Sequence, residues 1–235
     1  TDKNCVDFDT AAVTVKIAPK LTIVSSPLIL CDTGVVVFTG DTTGSGSPLI
    51  SYQWTFGGSI TDTARGKDTS YRFPSPGTYP VTYIVHNSIN CATTAIKNIT
   101  INPLPDARLI ASNLCFGQFA QFSDSSTVTN GNTITQWQWD FNNDGITDST
   151  TQHPRYPFPS ANTYKVTLRV GTNTNCFNTD SIDVTINPLP IVAASVNTPS
   201  ACKLDTFIFN NSTTGATSHY WLFGDGTDST TASLT

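Results

Sequence analysis

The chain has 235 residues, 38% of them hydrophobic, enough for two or three domains with ordinary cores. Charged residues make up only 12% and the net charge is −5, a balance with no attraction for nucleic acid. No apolar run reaches the roughly 20 residues of a membrane span, nothing at the start reads as a signal peptide, and the lack of any Met is expected of an interior or processed piece of a longer protein.

From its first residues the chain repeats itself. "NCVDFDTAAVTVKIAPK" (4–20) reads as the last strand of a repeat, because "NCATTAIKNITINPLP" (90–105) and "NCFNTDSIDVTINPLP" (175–190) return to its pattern. A strand led by Leu30 and Cys31 comes next, then "SYQWTFGG" (51–58) and "YRFPSPGTYPVTYIV" (71–85). Their counterparts are Leu114 and Cys115, "QWQWDFNNDG" (136–145) and "YPFPSANTYKVTLRV" (156–170); a third copy carries Cys202 and runs to "SHYWLFGDG" (218–226). A shift of about 85 residues thus lays the sequence on itself. The expected divisions are 1–18, the last strand of a preceding repeat; 19–102 and 103–187, two whole repeats; and 188–235, the N-terminal half of a further one.

Within a repeat the hydrophobic period is two. In "TYKVTLRV" the residues Tyr164, Val166, Leu168 and Val170 share one face, and Lys165, Thr167 and Arg169 the other, as in a strand buried on one side. Several such runs, punctuated by Gly, Pro, Asn and Asp and without a helical period, describe an all-β chain of antiparallel sandwiches of about seven strands. At about 85 residues each matches an immunoglobulin-like module. The joints "NPLP" (102–105, 187–190) hold two prolines each, which predicts a semi-stiff rod of tandem sandwiches. Trp54, Trp139 and Trp221 stand two residues before Phe56, Phe141 and Phe223, so each pair faces one way, into a core. Trp137 shares that parity and is expected to be buried beside Trp139; Tyr52 and Tyr220 are the other aromatics outside the core pattern.

Residues 140–148, "DFNNDGITD", admit two readings. Asp140, Asn142, Asp144 and Asp148 fall at positions 1, 3, 5 and 9 of a D-x-N-x-D-G loop, which is how calcium ligands are spaced, although Thr151 stands where a full loop has a bidentate Glu. Alternatively, Asn143-Asp144-Gly145 is a turn with positive φ that needs no metal. Calcium is therefore a cofactor expectation for the second full repeat alone. The histidines (His86, His153, His219) occupy unrelated repeat positions, and no catalytic arrangement suggests itself, so the chain reads as a non-enzyme.

"YQWTFGG", "WQWDFNNDG" and "YWLFGDG" resemble the W-D-F-G-D-G signature of PKD (polycystic kidney disease) domains, and "SPGTYPVTYIV" and "SANTYKVTLRV" resemble the strand that follows it. Thr55, Gly58 and Leu222 depart from that signature. With its L-C strand, later N-C and I-N-P-L-P joint, the chain is similar to tandem PKD arrays in large type IX-secreted surface proteins and gliding adhesins of Bacteroidota. The resemblance implies a structural and adhesive segment at the bacterial cell surface, whose partners are neighbouring PKD repeats and surface polysaccharide or another surface protein. It equally allows accessory carbohydrate- or protein-binding modules of a secreted hydrolase. It also implies O-glycosylation at Asp-Ser/Thr motifs, with Thr10, Thr42, Thr63, Ser149, Ser181 and Ser229 as acceptors.

Six cysteines in a Thr- and Ser-rich chain suggest an oxidising, extracellular setting. One lies just before the second strand of each repeat (Cys31, Cys115, Cys202) and one in the last hairpin (Cys5, Cys91, Cys176). Pairing within repeats would give Cys31–Cys91 and Cys115–Cys176. In an immunoglobulin-like sandwich, however, those sites lie at opposite ends, roughly 25 Å apart, whereas a disulfide tolerates about 7 Å between Cα atoms. A head-to-tail link, Cys31–Cys176, is the preferred expectation, and pairing within repeats stays as the alternative.

Overall fold

The computed structural model describes residues 9–12, 15, 17–44, 47–112, 114–197, 200 and 207–232. The expectations for Cys5 and Cys202 lie outside these residues. All regular structure described is β-strand. The chain divides into two compact units: 1–105 with the loops 128–133 and 172–177, and 106–127 with 134–171 and 178–235.

In the first unit, β1 (Lys20–Ser26), β2 (Gly34–Thr43) and β5 (Asp68–Phe73) form one sheet in the order β1-β2-β5. The other sheet, in the order β4-β3-β6-β7, comes from β3 (Leu49–Phe56), β4 (Thr63–Arg65), β6 (Gly77–Asn87) and β7 (Ala92–Ile101). The pairings among these strands are antiparallel. Alternation along β6 buries Val81, Tyr83 and Val85, and from the other sheet Val36, Phe38 and Phe73 meet them, closing an immunoglobulin-like sandwich.

The second unit repeats the plan. Strands β8 (Leu109–Ala111), β10 (Phe119–Asp124) and β12 (Arg155–Pro157) make one sheet. Strands β11 (Ile134–Asp140), β13 (Thr163–Thr172), β14 (Phe177–Asn187) and the two-residue β9 (Leu114–Cys115) make the other. Trp139, Phe141, Phe122, Val166, Leu168 and Val170 form the buried centre.

The repeated motifs explain why both copies fold alike. The Trp and Phe of each pair sit on the same face of β3 or β11 and pack on one Phe from the facing sheet. Ring centroids are 5.7 and 5.6 Å apart for Phe38 with Trp54 and Phe56, and 5.5 and 4.8 Å for Phe122 with Trp139 and Phe141. Each indole keeps its N–H satisfied: Trp54 Nε1 donates to the Gly66 carbonyl at 3.0 Å and Trp139 Nε1 to the Thr151 carbonyl at 2.9 Å. The "SPGTY" and "SANTY" segments fold back so that the Tyr79 and Tyr164 hydroxyls donate to the carbonyls of Ser75 and Ser160, at 2.9 and 3.2 Å.

After residue 187 come two small sheets, β15 (Ala194–Val196) with β16 (Phe209–Asn211) and β17 (Ser218–Leu222) with β18 (Asp228–Ala232). Here the expectation of a buried Trp and Phe pair is corrected. Trp221 is only half-buried and Phe223 is 39% exposed. Phe209 is the partner of both rings, but among the described residues no second four-stranded sheet covers them. Trp137 is also corrected: it is half-buried at the edge of the second core, its Nε1 donating to the Asp124 carboxylate at 2.7 Å.

The two cores differ at one position with a measurable consequence. Where the second has Leu168, the first has Tyr83, fully buried and stacked on Trp54 at 4.1 Å. Its ring occupies the space over Gly40, where a Cβ would stand 2.3 Å from it. The Tyr83 hydroxyl has no hydrogen-bond partner. Burial, with Tyr52 and Asp68 adding to it, pushes the Tyr83 pKa up to about 12. A raised folded-state pKa means that the unfolded chain gives up this proton first. The associated stability is therefore complete below pH 10 and drains away between pH 10 and about 12. Tyr83→Phe should stabilise the chain by about 1 kcal/mol at neutral pH, by removing an orphaned buried hydroxyl, and should flatten the alkaline limb of a pH-dependent denaturant series. Loss of stability in the variant, or an unchanged alkaline limb, would refute this account of Tyr83.

Candidate functional site

The chemistry that stands out is covalent. Cys31 lies where the chain, before entering β2, runs parallel to the end of β7: Asp32 N–H donates to the Asn102 carbonyl and Asn102 N–H to the Leu30 carbonyl, both at 2.8 Å. Cys176 lies in the hairpin between β13 and β14, where Asn175 takes φ 59° and the Thr172 hydroxyl accepts the Cys176 N–H at 3.1 Å. The two cysteines form a disulfide within the first compact unit, with Cα atoms 5.6 Å apart and a sequence separation of 145. Pairing within repeats is thereby excluded for the described cysteines, and Cys91 and Cys115 are free thiols. The reason is strand length. Cys31 sits beside Asn102 after the last residue of β7, and Cys91 stands just before its first. Ten residues of extended chain place those positions about 33 Å apart.

The acidic loop of the second repeat is built as a hydrogen-bonded turn. Asp140 Oδ1 accepts the N–H groups of Asn142, Asn143 and Asp144 at 3.3, 2.6 and 3.3 Å, and its Oδ2 accepts Gly145 N–H at 2.8 Å. Asp144 Oδ1 accepts Ile146 N–H, and Asp148 Oδ2 accepts Phe141 N–H, both at 2.8 Å. Positive φ at Asn143 (58°) and Gly145 (84°) aims these amides inward. The oxygens expected to hold calcium are thus engaged by backbone donors. Among the described residues no group of three or more His, Cys, Asp or Glu is placed to hold a metal ion. Asp140→Ala should cost about 1–2 kcal/mol in urea denaturation, since it strands several amides at once. The melting midpoint of the full chain in calcium and in chelator tests the calcium expectation: a lower midpoint in chelator would uphold it, and equal midpoints would leave the turn alone.

Two shallow grooves recur at matching repeat positions. In the first repeat a groove of about 390 Å³ is lined by Tyr52, Gln53, Arg65 and His86, among others, and the His86 Nδ1 lies 3.2 Å from the Ser51 hydroxyl. In the second, a groove of about 330 Å³ is lined by Gln136, Trp137, Gln138 and Thr150 with Thr135. Beside it, burial acts to raise the Asp124 pKa, but hydrogen bonds from Ser126, Trp137 and Gln152 outweigh it and leave the carboxyl below its usual value. His153 accepts the Asp124 backbone N–H at 3.3 Å. Ser51 and His86 are thus within hydrogen-bond reach of each other in the first repeat, whereas His153 in the second holds the backbone at the end of β10.

Of the hydroxyls in Asp-Ser/Thr motifs, Thr10, Thr63 and Ser181 are exposed, whereas Thr42, Ser149 and Ser229 are half-buried. Ser149 also shares a hydrogen bond with Thr151 at 3.1 Å.

Two sandwiches with the same Trp and Phe anchors and the same tyrosine fold-back define a tandem array of immunoglobulin-like β-modules. The chain belongs to the PKD domain family, whose pattern matches residues 16–101 and again 102–186. No curated protein matches the sequence. Among solved structures, the PKD1 domain of the Vibrio cholerae metalloprotease PrtV is 27% identical over 36% of this chain and 98% of that one, with a TM-score of 0.31. The fibronectin(III)-like modules of Clostridium thermocellum CbhA are 11% identical over 72% of this chain and 95% of theirs, with a TM-score of 0.41. A C-terminal 282-residue fragment of intimin, solved with the intimin-binding domain of its translocated receptor, is 14% identical over 76% of this chain and 67% of that one, with a TM-score of 0.45. No helix among the described residues is long and apolar enough to cross a membrane.

Proposed function

We propose that this chain is a non-catalytic stalk segment of a large bacterial surface or secreted protein of the gliding or attachment adhesin kind, holding a distal binding region away from the cell. The observation that carries the reading is the Cys31–Cys176 disulfide, which joins one PKD repeat covalently to the next. A link of this kind contributes nothing to catalysis and nothing to a ligand site. It limits how far two successive repeats separate, which is the property a stalk needs. Disulfides also persist in oxidising surroundings, in keeping with a place outside the cell. The prolines of the "NPLP" joints restrict bending. Glycans of the Asp-Ser/Thr type would be carried by the exposed hydroxyls of Thr10, Thr63 and Ser181, and the intact mass of native material checks this.

The second reading, accessory binding modules of a secreted hydrolase, is favoured by the recurring grooves at Tyr52 and Trp137. Incubation of the full chain with insoluble polysaccharides separates the two. A stalk segment stays in the supernatant on cellulose, chitin and peptidoglycan alike. Retention on one of them, lost in Tyr52→Ala with Trp137→Ala, would replace the stalk reading with the accessory one.

A further inference from the structure

The two free thiols stand in local backbone settings that duplicate those of the bonded pair. Cys115 pairs in parallel with Asn187 at the end of β14, and Phe116 N–H donates to the Asn187 carbonyl at 2.8 Å; one repeat earlier, Cys31 pairs with Asn102 and Asp32 N–H donates to its carbonyl at the same distance. Cys91 closes its hairpin as Cys176 does. The Asn87 N–H donates to the Cys91 carbonyl at 3.1 Å, as Thr172 N–H does to the Cys176 carbonyl at 2.9 Å. The Cys91 N–H is held by the Asn87 side chain at 2.8 Å, as that of Cys176 is by the Thr172 side chain at 3.1 Å. The preceding residues, Asn90 and Asn175, take φ 63° and 59°. Each full repeat therefore presents one cysteine of each kind. The single disulfide observed joins the first kind in one repeat to the second kind in the repeat that follows. Cys115 is exposed and Cys91 half-buried, so both sulfurs are available for reaction.

We infer that Cys115 and Cys91 are half-sites of the same head-to-tail link: Cys115 for the hairpin cysteine of a following PKD repeat, and Cys91 for the pre-strand cysteine of a preceding one. The inference rests on the stalk reading only for the supply of further repeats of this kind. The chemistry is thiol–disulfide exchange. The Cys115 thiolate attacks an oxidant disulfide, of the oxidised glutathione or oxidoreductase class, and expels one thiolate. The partner cysteine, as thiolate, then displaces the second. Two protein thiols are oxidised to one disulfide, one oxidant disulfide is reduced to two thiols, and the two protons pass from the cysteines to the released thiolates.

Iodoacetamide treatment of the full chain without reductant should label Cys91 and Cys115 and spare Cys31 and Cys176. The chain is then extended after Thr235 by a second copy of residues 154–187, which supplies late strands and a hairpin cysteine to the sequence around Trp221. In a glutathione redox buffer, labelling of Cys115 should fall at least tenfold. Peptide mapping without reduction should find Cys115 joined to the appended copy of Cys176. Continued labelling of Cys115, with Trp221 fluorescence showing burial, would overturn the inference. If the extension does not bury Trp221, the protein from its source decides, mapped in the same way. Cys115 and Cys91 each joined to a different flanking repeat upholds the inference. Either thiol free, or the two joined to each other, defeats it. A source protein without further repeats would instead be seen in its sequence and would defeat the stalk reading at the same time.

Discussion

Trp139→Ala is expected to destabilise the second repeat by about 3–5 kcal/mol, a large fraction of what holds a domain of this size together. Trp139 is fully buried and touches Phe122 and Phe141 within a single cluster that spans both sheets. Truncation removes the largest apolar surface of that core and leaves a cavity that strands fixed by their ladders cannot collapse to fill. It also strands the Thr151 carbonyl, which loses the indole donor. Trp54→Ala should behave the same way in the first repeat, where the Gly66 carbonyl is the group left unpaired. Trp221→Ala provides the contrast: half-buried, with Phe223 exposed beside it, it should cost less than about 1 kcal/mol. Urea denaturation followed by circular dichroism measures all three. Equal effects at Trp139 and Trp221 would show that the burial difference between the copies does not govern their stability.

Much of this architecture is legible in the sequence because repetition supplies its own control. A pattern such as W-x-F, followed at fixed distance by S-x-x-T-Y, occurs twice in full, and what both copies keep is what the sandwich needs: an indole, its Phe partner and a tyrosine that folds the chain back. Strand period two then follows from burial on one face. Trp137 was less legible, because parity assigns a face but says nothing of position along the strand. It lies midway along β11 but opposite the last residue of β10, where the facing sheet offers Asp124 instead of a hydrophobic neighbour. Trp221 shows a related limit: sequence pattern places an aromatic on a face but does not supply the strands that cover it. The acidic loop was ambiguous for a different reason. Asp and Asn at alternate positions serve a cation or a set of inward-pointing amides equally well, and the hydrogen bonds show only that the amides are engaged. The co-occurrence of Tyr83 with Gly40, against Leu168 with Asp124, had no signal in either position alone.

Stretching the full chain from its two ends should give different lengths in oxidising and reducing solution. With Cys31 bonded to Cys176, force entering from the N-terminus crosses the disulfide and leaves toward the C-terminus without passing through the residues between them. Those residues contain β2 to β7 of the first repeat and β8 to β13 of the second, so the pull reaches only β1 and β14, the strands of the two sandwiches that lie outside the bonded loop. Reduction returns about 145 residues to the force path, and at up to 3.6 Å per residue the fully stretched chain should lengthen by about 500 Å. Cys31→Ser with Cys176→Ser should reproduce the reduced behaviour without any reductant. It should also lower the denaturation midpoint, by an amount equivalent to about 2–5 kcal/mol, because the open chain regains loop entropy when it unfolds. Equal contour lengths with and without reductant would show that the link does not bypass the repeats. If the link recurs at Cys115 and Cys91, the same reasoning extends along an array. Force would cross each disulfide and follow only the short stretch from a hairpin cysteine to the pre-strand cysteine of the next repeat, about 25 residues, as from Cys91 to Cys115 here. Such an array resists extension through covalent bonds, while its sandwiches need only the marginal stability of ordinary domains.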